Sequence, residues 1–117
     1  MDTLEKRLER LEYYQRLMLE LVNLEKWPLH QLIIKRQLTE EEVDELFCLC
    51  EELTEEYKRQ KAEGFVGFSP LLHMFIDRLN RKITAIETIE ALYKEQMYVP
   101  LMTIFKNIII EQHTKSS

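Results

Sequence analysis

A chain of 117 residues has the size of one compact domain, and with 45% apolar side chains it can bury a substantial core. No apolar run approaches membrane-spanning length, charge begins at Asp2, and the only cysteines are Cys48 and Cys50; this argues against a membrane span, a signal peptide or a disulfide framework, and a cytoplasmic location is expected. The net charge of −5 is concentrated: residues 37–64 hold ten acids against three bases, whereas the segments on either side are each close to neutral.

Asp2 or Thr3 can open a first helix, in which Leu4, Leu8, Leu11, Met18 and Val22 follow heptad spacing with Gln15 as a polar break. Tyr14, Leu17, Leu21 and Leu24 widen the stripe in its second half. The narrow first half resembles a two-helix seam, too short for a free-standing coiled coil. It suits a helix that packs partly on its own domain and partly on a second copy, so Leu4, Leu8 and Leu11 are the candidate self-association residues. Asp2 with Lys6 and Glu12 with Arg16 have favourable i,i+4 spacing on the polar side.

Trp27-Pro28 ends this helix, because the residue before proline avoids the α region while proline suits a new first turn. A short helix from Leu29 to about Arg36 should bury Leu32, Ile33 and Ile34. Thr39 to Gly64 is then the most clearly delimited element. Thr39 and Glu42 form a capping box, Glu40 to Glu42 complement the helix dipole, and Val43, Leu46, Phe47, Cys50, Leu53 and Tyr57 make one apolar stripe. Lys58, Arg59 and Lys61 crowd the last turn and Gly64 supplies the stop. At about 36 Å if helical throughout, it is expected to be the helix against which the rest packs.

The loop Gly64 to Phe68 contains both glycines and three large apolar residues, and Phe65, Val66 and Phe68 are the candidate partner-docking residues. Phe65, directly after the cap glycine, is expected to fold back on the helix, and Phe68 to face a partner. Ser69-Pro70 reads as cap and first-turn proline of a helix carrying Leu71, Leu72, Phe75, Ile76 and Leu79. Thr84 and Glu87 form a second capping box, before Ile86, Ile89, Leu92, Tyr93 and Met97. After a turn near Val99-Pro100, a last helix carries Leu101, Ile104, Phe105, Ile108 and Ile109, and residues 114–117 should be a frayed tail. Arg36-Gln37-Leu38-Thr39 and Arg81-Lys82-Ile83-Thr84 resemble each other, but the apolar offsets after each threonine differ, so no repeat follows.

Little of this pattern carries chemistry. Cys48 and Cys50 sit two apart on a helix and point about 200° from each other, so they cannot share one zinc. His30, His73 and His113 lie on three different helices, and the pair His73 and Asp77 reads as a surface hydrogen bond. Glu42 with Glu45, Glu52 with Glu55, and Glu87 with Glu90 have i,i+3 spacing that can carry magnesium in helical nucleotide hydrolases. The Glu-x-x-His partner of di-iron bundles is missing, and the run reads as a solvated face. No metal, cofactor or catalytic residue is assigned.

Residues 29–53 also have the outline of a helix-turn-helix, but the would-be recognition helix carries nine acids and no base between Glu40 and Glu56, which opposes phosphate binding. The clusters Lys58 to Lys61 and Arg78 to Lys82 read as helix-end charges.

Three strings carry a family likeness: Leu8-Glu9-Arg10-Leu11-Glu12-Tyr13-Tyr14, Gln60-Lys61-Ala62-Glu63-Gly64-Phe65-Val66 and Glu87-Thr88-Ile89-Glu90-Ala91-Leu92-Tyr93. With them the chain resembles the YhaI-like family of small proteins from Bacillus and its relatives, nearly end to end and most specifically at the Gly64 loop. The resemblance implies an all-α, oligomeric, cytoplasmic protein and brings no catalytic residues. The expectation is therefore one all-α domain, 1–117, of five to six helices in an orthogonal or bundle-like arrangement. It is expected to act as a non-enzymatic, homo-oligomeric interaction or regulatory protein with an unknown protein partner and without membrane attachment. A nucleic-acid-associated regulator is the second reading, and a metal-dependent nucleotide hydrolase the third.

Overall fold

A computed structural model describes residues 3–115 as six α-helices, with no strand among them. These are α1 (Leu4–Leu21), α2 (Pro28–Lys35), α3 (Glu40–Ala62), α4 (Ser69–Arg78), α5 (Ala85–Lys94) and α6 (Val99–Lys115), with a 3-10 turn at Leu24–Lys26 between the first two. The expected roles of Asp2, of Ser116 and of Ser117 lie outside the described residues. Helix α6 runs through to Lys115, so its backbone extends past the Thr114 boundary expected from the sequence.

Local chemistry sets the helix starts. Thr3 caps α1 by accepting from the Lys6 N–H at 3.2 Å. Both capping boxes form: Thr39 and Glu42 exchange bonds of 3.1 and 2.9 Å, Thr84 and Glu87 of 3.3 and 2.8 Å. Pro28 opens α2, and in α4 the cap is Phe68 rather than Ser69, which is already helical.

Three helix stops share one geometry. After α3 the Phe65 N–H donates to the Gln60 carbonyl and the Gly64 N–H to that of Lys61, with Gly64 at φ +93°, a Schellman closure. Helices α2 and α5 close in the same way, but with Gln37 (φ 56°) and Gln96 (φ 59°) in the left-handed position. There the residue that follows and the residue donating its carbonyl are both apolar, Leu38 with Ile33 and Met97 with Leu92. That contact accompanies the motif and offsets a backbone conformation that costs a side-chain-bearing residue about 1–2 kcal/mol.

The core takes Leu29 and Leu32 from α2, Leu46, Leu49, Cys50, Leu53 and Tyr57 from α3, Leu71, Leu72 and Phe75 from α4, Ile89, Ala91 and Leu92 from α5, and Leu101, Met102 and Phe105 from α6. The sequence expectation that everything packs on α3 is corrected here. Helix α6 meets α5, α3 and α4, while α2 packs on α5. It can do so because its apolar residues surround the axis: Leu101, Met102 and Phe105 are fully buried while Ile104, Ile108 and Ile109 pack around the core's edge. Phe75 and Phe105 stack at its centre with ring centroids 5.3 Å apart. Thr88, on α5 and fully buried, donates its hydroxyl to the Thr84 carbonyl at 2.7 Å.

Several residues expected inside lie at the surface. Ile34, Ile76, Ile86 and Tyr93 are exposed, because each sits at the margin of a stripe whose centre already faces the neighbouring helix. Leu49, which the periodicity passed over, is buried instead.

Helix α1 stands apart from this body. None of its residues is buried. The radius of gyration is 18.2 Å and the longest extent 66 Å, against about 13 Å for the radius of a compact domain of this size. An 18-residue helix spans roughly 27 Å, enough to account for the elongation.

Candidate functional site

The unpacked helix is the main surface feature. Leu4 is 71% exposed and Leu8, Leu11 and Met18 each more than half exposed, so the heptad seam is an open apolar ridge. The three self-association candidates Leu4, Leu8 and Leu11 lie along its outer half. Toward the body the ridge becomes one wall of a groove: Gln15, Met18, Leu19 and Val22 face Ile34 of α2, and Leu24, Trp27 and His30 continue the lining. Single exposed leucines are ordinary, but a row of them along one helix makes α1 the candidate contact surface.

Glu95 fixes the elbow between the ridge and the body. Its carboxylate, on the residue capping α5, accepts from the backbone N–H groups of Leu29 and His30 and lies 2.9 Å from His30 Nδ1. The first-turn N–H groups of α2 lack intrahelical partners, and Trp27 offers no side-chain cap, so a carboxylate 65 residues away fills that position. The Trp27 ring meets the His30 ring edge-on at 5.4 Å. Nothing in the sequence signals the long-range pairing.

The Gly64 loop reverses the sequence assignment of its two phenylalanines. Phe68 packs edge-on against Tyr57 with centroids 4.9 Å apart and is half-buried, whereas Phe65 is 55% and Val66 93% exposed. The Schellman contact expected of Phe65 requires an apolar residue at the position whose carbonyl it bonds, and that residue is Gln60. Tyr57, one turn earlier and buried, receives Phe68 instead. Phe68→Ala should therefore lower stability by about 1–3 kcal/mol, and Phe65→Ala by no more than about 0.5 kcal/mol. Urea unfolding of the two variants checks this, and equal losses would place both rings in the core.

The acidic run on α3 is partly engaged in ion pairs. Glu42 completes its capping box and also accepts from Lys82 Nζ at 2.7 Å and Asn80 Nδ2 at 2.7 Å, tying α3 to the α4–α5 connection. Those hydrogen bonds, Lys82 first, lower its carboxyl from the ordinary 4.5 to about 2. Its stabilising contribution is thus complete above 4.5 and is lost as pH falls toward about 2. Acid titration of unfolding midpoints should show a shallower fall over that interval in Glu42→Gln than in the parent chain. Arg78 meets Glu52 at 2.8 Å, Arg59 bridges Glu56 and Glu63, and Arg36 meets Glu87 at 3.1 Å.

Cys48 is exposed while Cys50 is fully buried, on opposite faces of α3, and burial pushes the Cys50 thiol up to about 12. That makes Cys50 a packing residue rather than a nucleophile. His30, His73 and His113 are exposed and remain on separate helices. Among the described residues no three His, Cys, Asp or Glu side chains converge as a metal site, and no helix is long and apolar enough to cross a membrane.

Residues 1–110 match the family described as Protein of unknown function (DUF1878), and the chain belongs to that family.

Proposed function

We propose that this family member is a non-enzymatic, homo-oligomeric interaction or regulatory protein that assembles through α1. The observation that carries the reading is an 18-residue helix with no buried residue and an exposed apolar ridge interrupted at Gln15. The resemblance to the YhaI-like proteins of Bacillus supports the same assignment to a cytoplasmic oligomer. Phe65 and Val66 offer a smaller second contact, suited to a protein partner.

Magnitudes indicate how much of α1 must take part. Burying a large apolar side chain contributes about 1.5–3 kcal/mol when it starts fully exposed. Leu4, Leu8, Leu11, Met18 and Val22 begin from about half exposed upward, so two seams together gain on the order of 10 kcal/mol. Association costs roughly 4–15 kcal/mol in lost freedom. A bare two-helix seam is therefore marginal, and the groove with Leu19, Trp27 and Ile34 belongs to the interface.

Light scattering tests this directly. The parent chain should run as an oligomer, and Leu8→Glu with Leu11→Glu should reduce the mass toward that of one chain while far-ultraviolet circular dichroism keeps the signal of α2 to α6. A monomeric parent chain, or an oligomer indifferent to both charges, would refute the reading.

A further inference from the structure

Building on self-association through α1, we propose that copies of this chain bring their α1 helices together in parallel and in register, so that Gln15 lies opposite Gln15 of its neighbour. With Leu4, Leu11 and Met18 as the d positions of a heptad, Leu8 and Gln15 occupy a, and the helix ends at Leu21, with Val22 extended just beyond it. A parallel in-register pair stacks each layer on its own copy.

The polar layer discriminates orientation. Gln15 is exposed on the open ridge, and its amide carries both donors and an acceptor. Opposite another Gln15, the two amides satisfy each other, as polar a-position residues do when they fix register. Antiparallel packing sets a against d, which puts Gln15 against Leu4 or Leu11 and encloses its amide in an apolar layer without a partner.

The charges flanking the seam discriminate independently. Arg7 occupies a g position and Glu12 the next e position, and both are exposed. Parallel helices pair g with the following e of the neighbour, so Arg7 meets the partner's Glu12, and Tyr14 meets the partner's Leu19 one heptad later. Antiparallel helices pair e with e, setting Glu12 against Glu5 or against its own copy. Attraction on one arrangement and like-charge repulsion on the other select the parallel one. The groove beside Met18, Val22 and Ile34 then receives the neighbour's α1 where the chains enter their bodies.

Cysteine cross-linking reads the orientation. In a Cys48→Ser background, Leu11→Cys places one thiol at a d position, where a parallel in-register pair brings identical Cβ atoms within disulfide reach. Mild oxidation of the assembled chain should convert most of it to a covalent dimer through this residue. Equimolar Leu8→Cys and Leu11→Cys chains, or Leu8→Cys and Met18→Cys chains, should form hetero-cross-links only if the helices run antiparallel. Arg7→Glu should weaken association roughly five- to tenfold, and adding Glu12→Arg should restore it. Hetero-cross-linking without Leu11 self-cross-linking, or no rescue by the paired swap, overturns the parallel register while leaving self-association standing. A monomeric parent chain by light scattering overturns self-association itself, and the orientation with it.

Discussion

Phe105→Ala is expected to lower the unfolding free energy by about 3–5 kcal/mol. The ring is fully buried, stacks on Phe75, and lies on α6, the helix that touches α3, α4 and α5. Truncation removes the transfer contribution of the ring and leaves a cavity between helices that are each pinned elsewhere, so collapse recovers little. Domains of this size have about 5–15 kcal/mol in total, and the variant should sit near the edge of folding. Urea unfolding at fixed protein concentration measures it, since the proposed self-association would make the midpoint concentration-dependent. Ile110→Ala on the exposed side of α6 is the control and should change stability by less than about 0.5 kcal/mol. A loss below about 1 kcal/mol for Phe105→Ala would mean that α6 does not hold the body together.

Glu95→Ala should cost about 2–4 kcal/mol, a large effect for a charged residue on a helix end. Its side chain is only 5% exposed. Removing it leaves the N–H groups of Leu29 and His30 without their acceptor; water can reach the exposed His30 but not easily Leu29, which is itself buried. Each unsatisfied buried donor costs about 1–3 kcal/mol. Glu95→Gln retains one acceptor oxygen and should lose about half as much. Thermal unfolding of the three chains, with amide exchange at Leu29, separates loss of the cap from general destabilisation. If Gln behaves like the parent chain, the carboxylate's second oxygen is not used; if it behaves like Ala, one neutral acceptor oxygen does not replace the carboxylate. Because this contact fixes the elbow beside α1, Glu95→Ala should also weaken the proposed self-association, which light scattering on the same samples reads out.

The contrast between the two phenylalanines of the Gly64 loop explains what sequence reasoning reached and where it stopped. Gly64 announces the left-handed stop on its own, because glycine adopts that conformation without a Cβ penalty. Which ring returns to the helix depends on the residue facing it, and Gln60 offers Phe65 nothing apolar. The stops at Gln37 and Gln96 show the same dependence in reverse: no local signal marks a glutamine for the left-handed region, and the apolar pairs Leu38 with Ile33 and Met97 with Leu92 hold it there.

Local chemistry in the chain is enough to place the helices and most of their starts, although α4 begins one residue earlier than its serine suggests and α1 stops at Leu21, short of Trp27-Pro28. Capping boxes, first-turn prolines and 3.6-residue periodicity act within a few residues, so their chemistry is complete before any tertiary contact forms. The sequence also marked the heptad seam of α1 and the charge imbalance of α3. Long-range packing settles that α6 links the body, that Glu95 caps α2, that Glu42 pairs with Lys82 and Asn80, and that α1 stays unpacked. Each joins groups far apart in the chain, and an amphipathic stripe states that a face must be covered without stating by what.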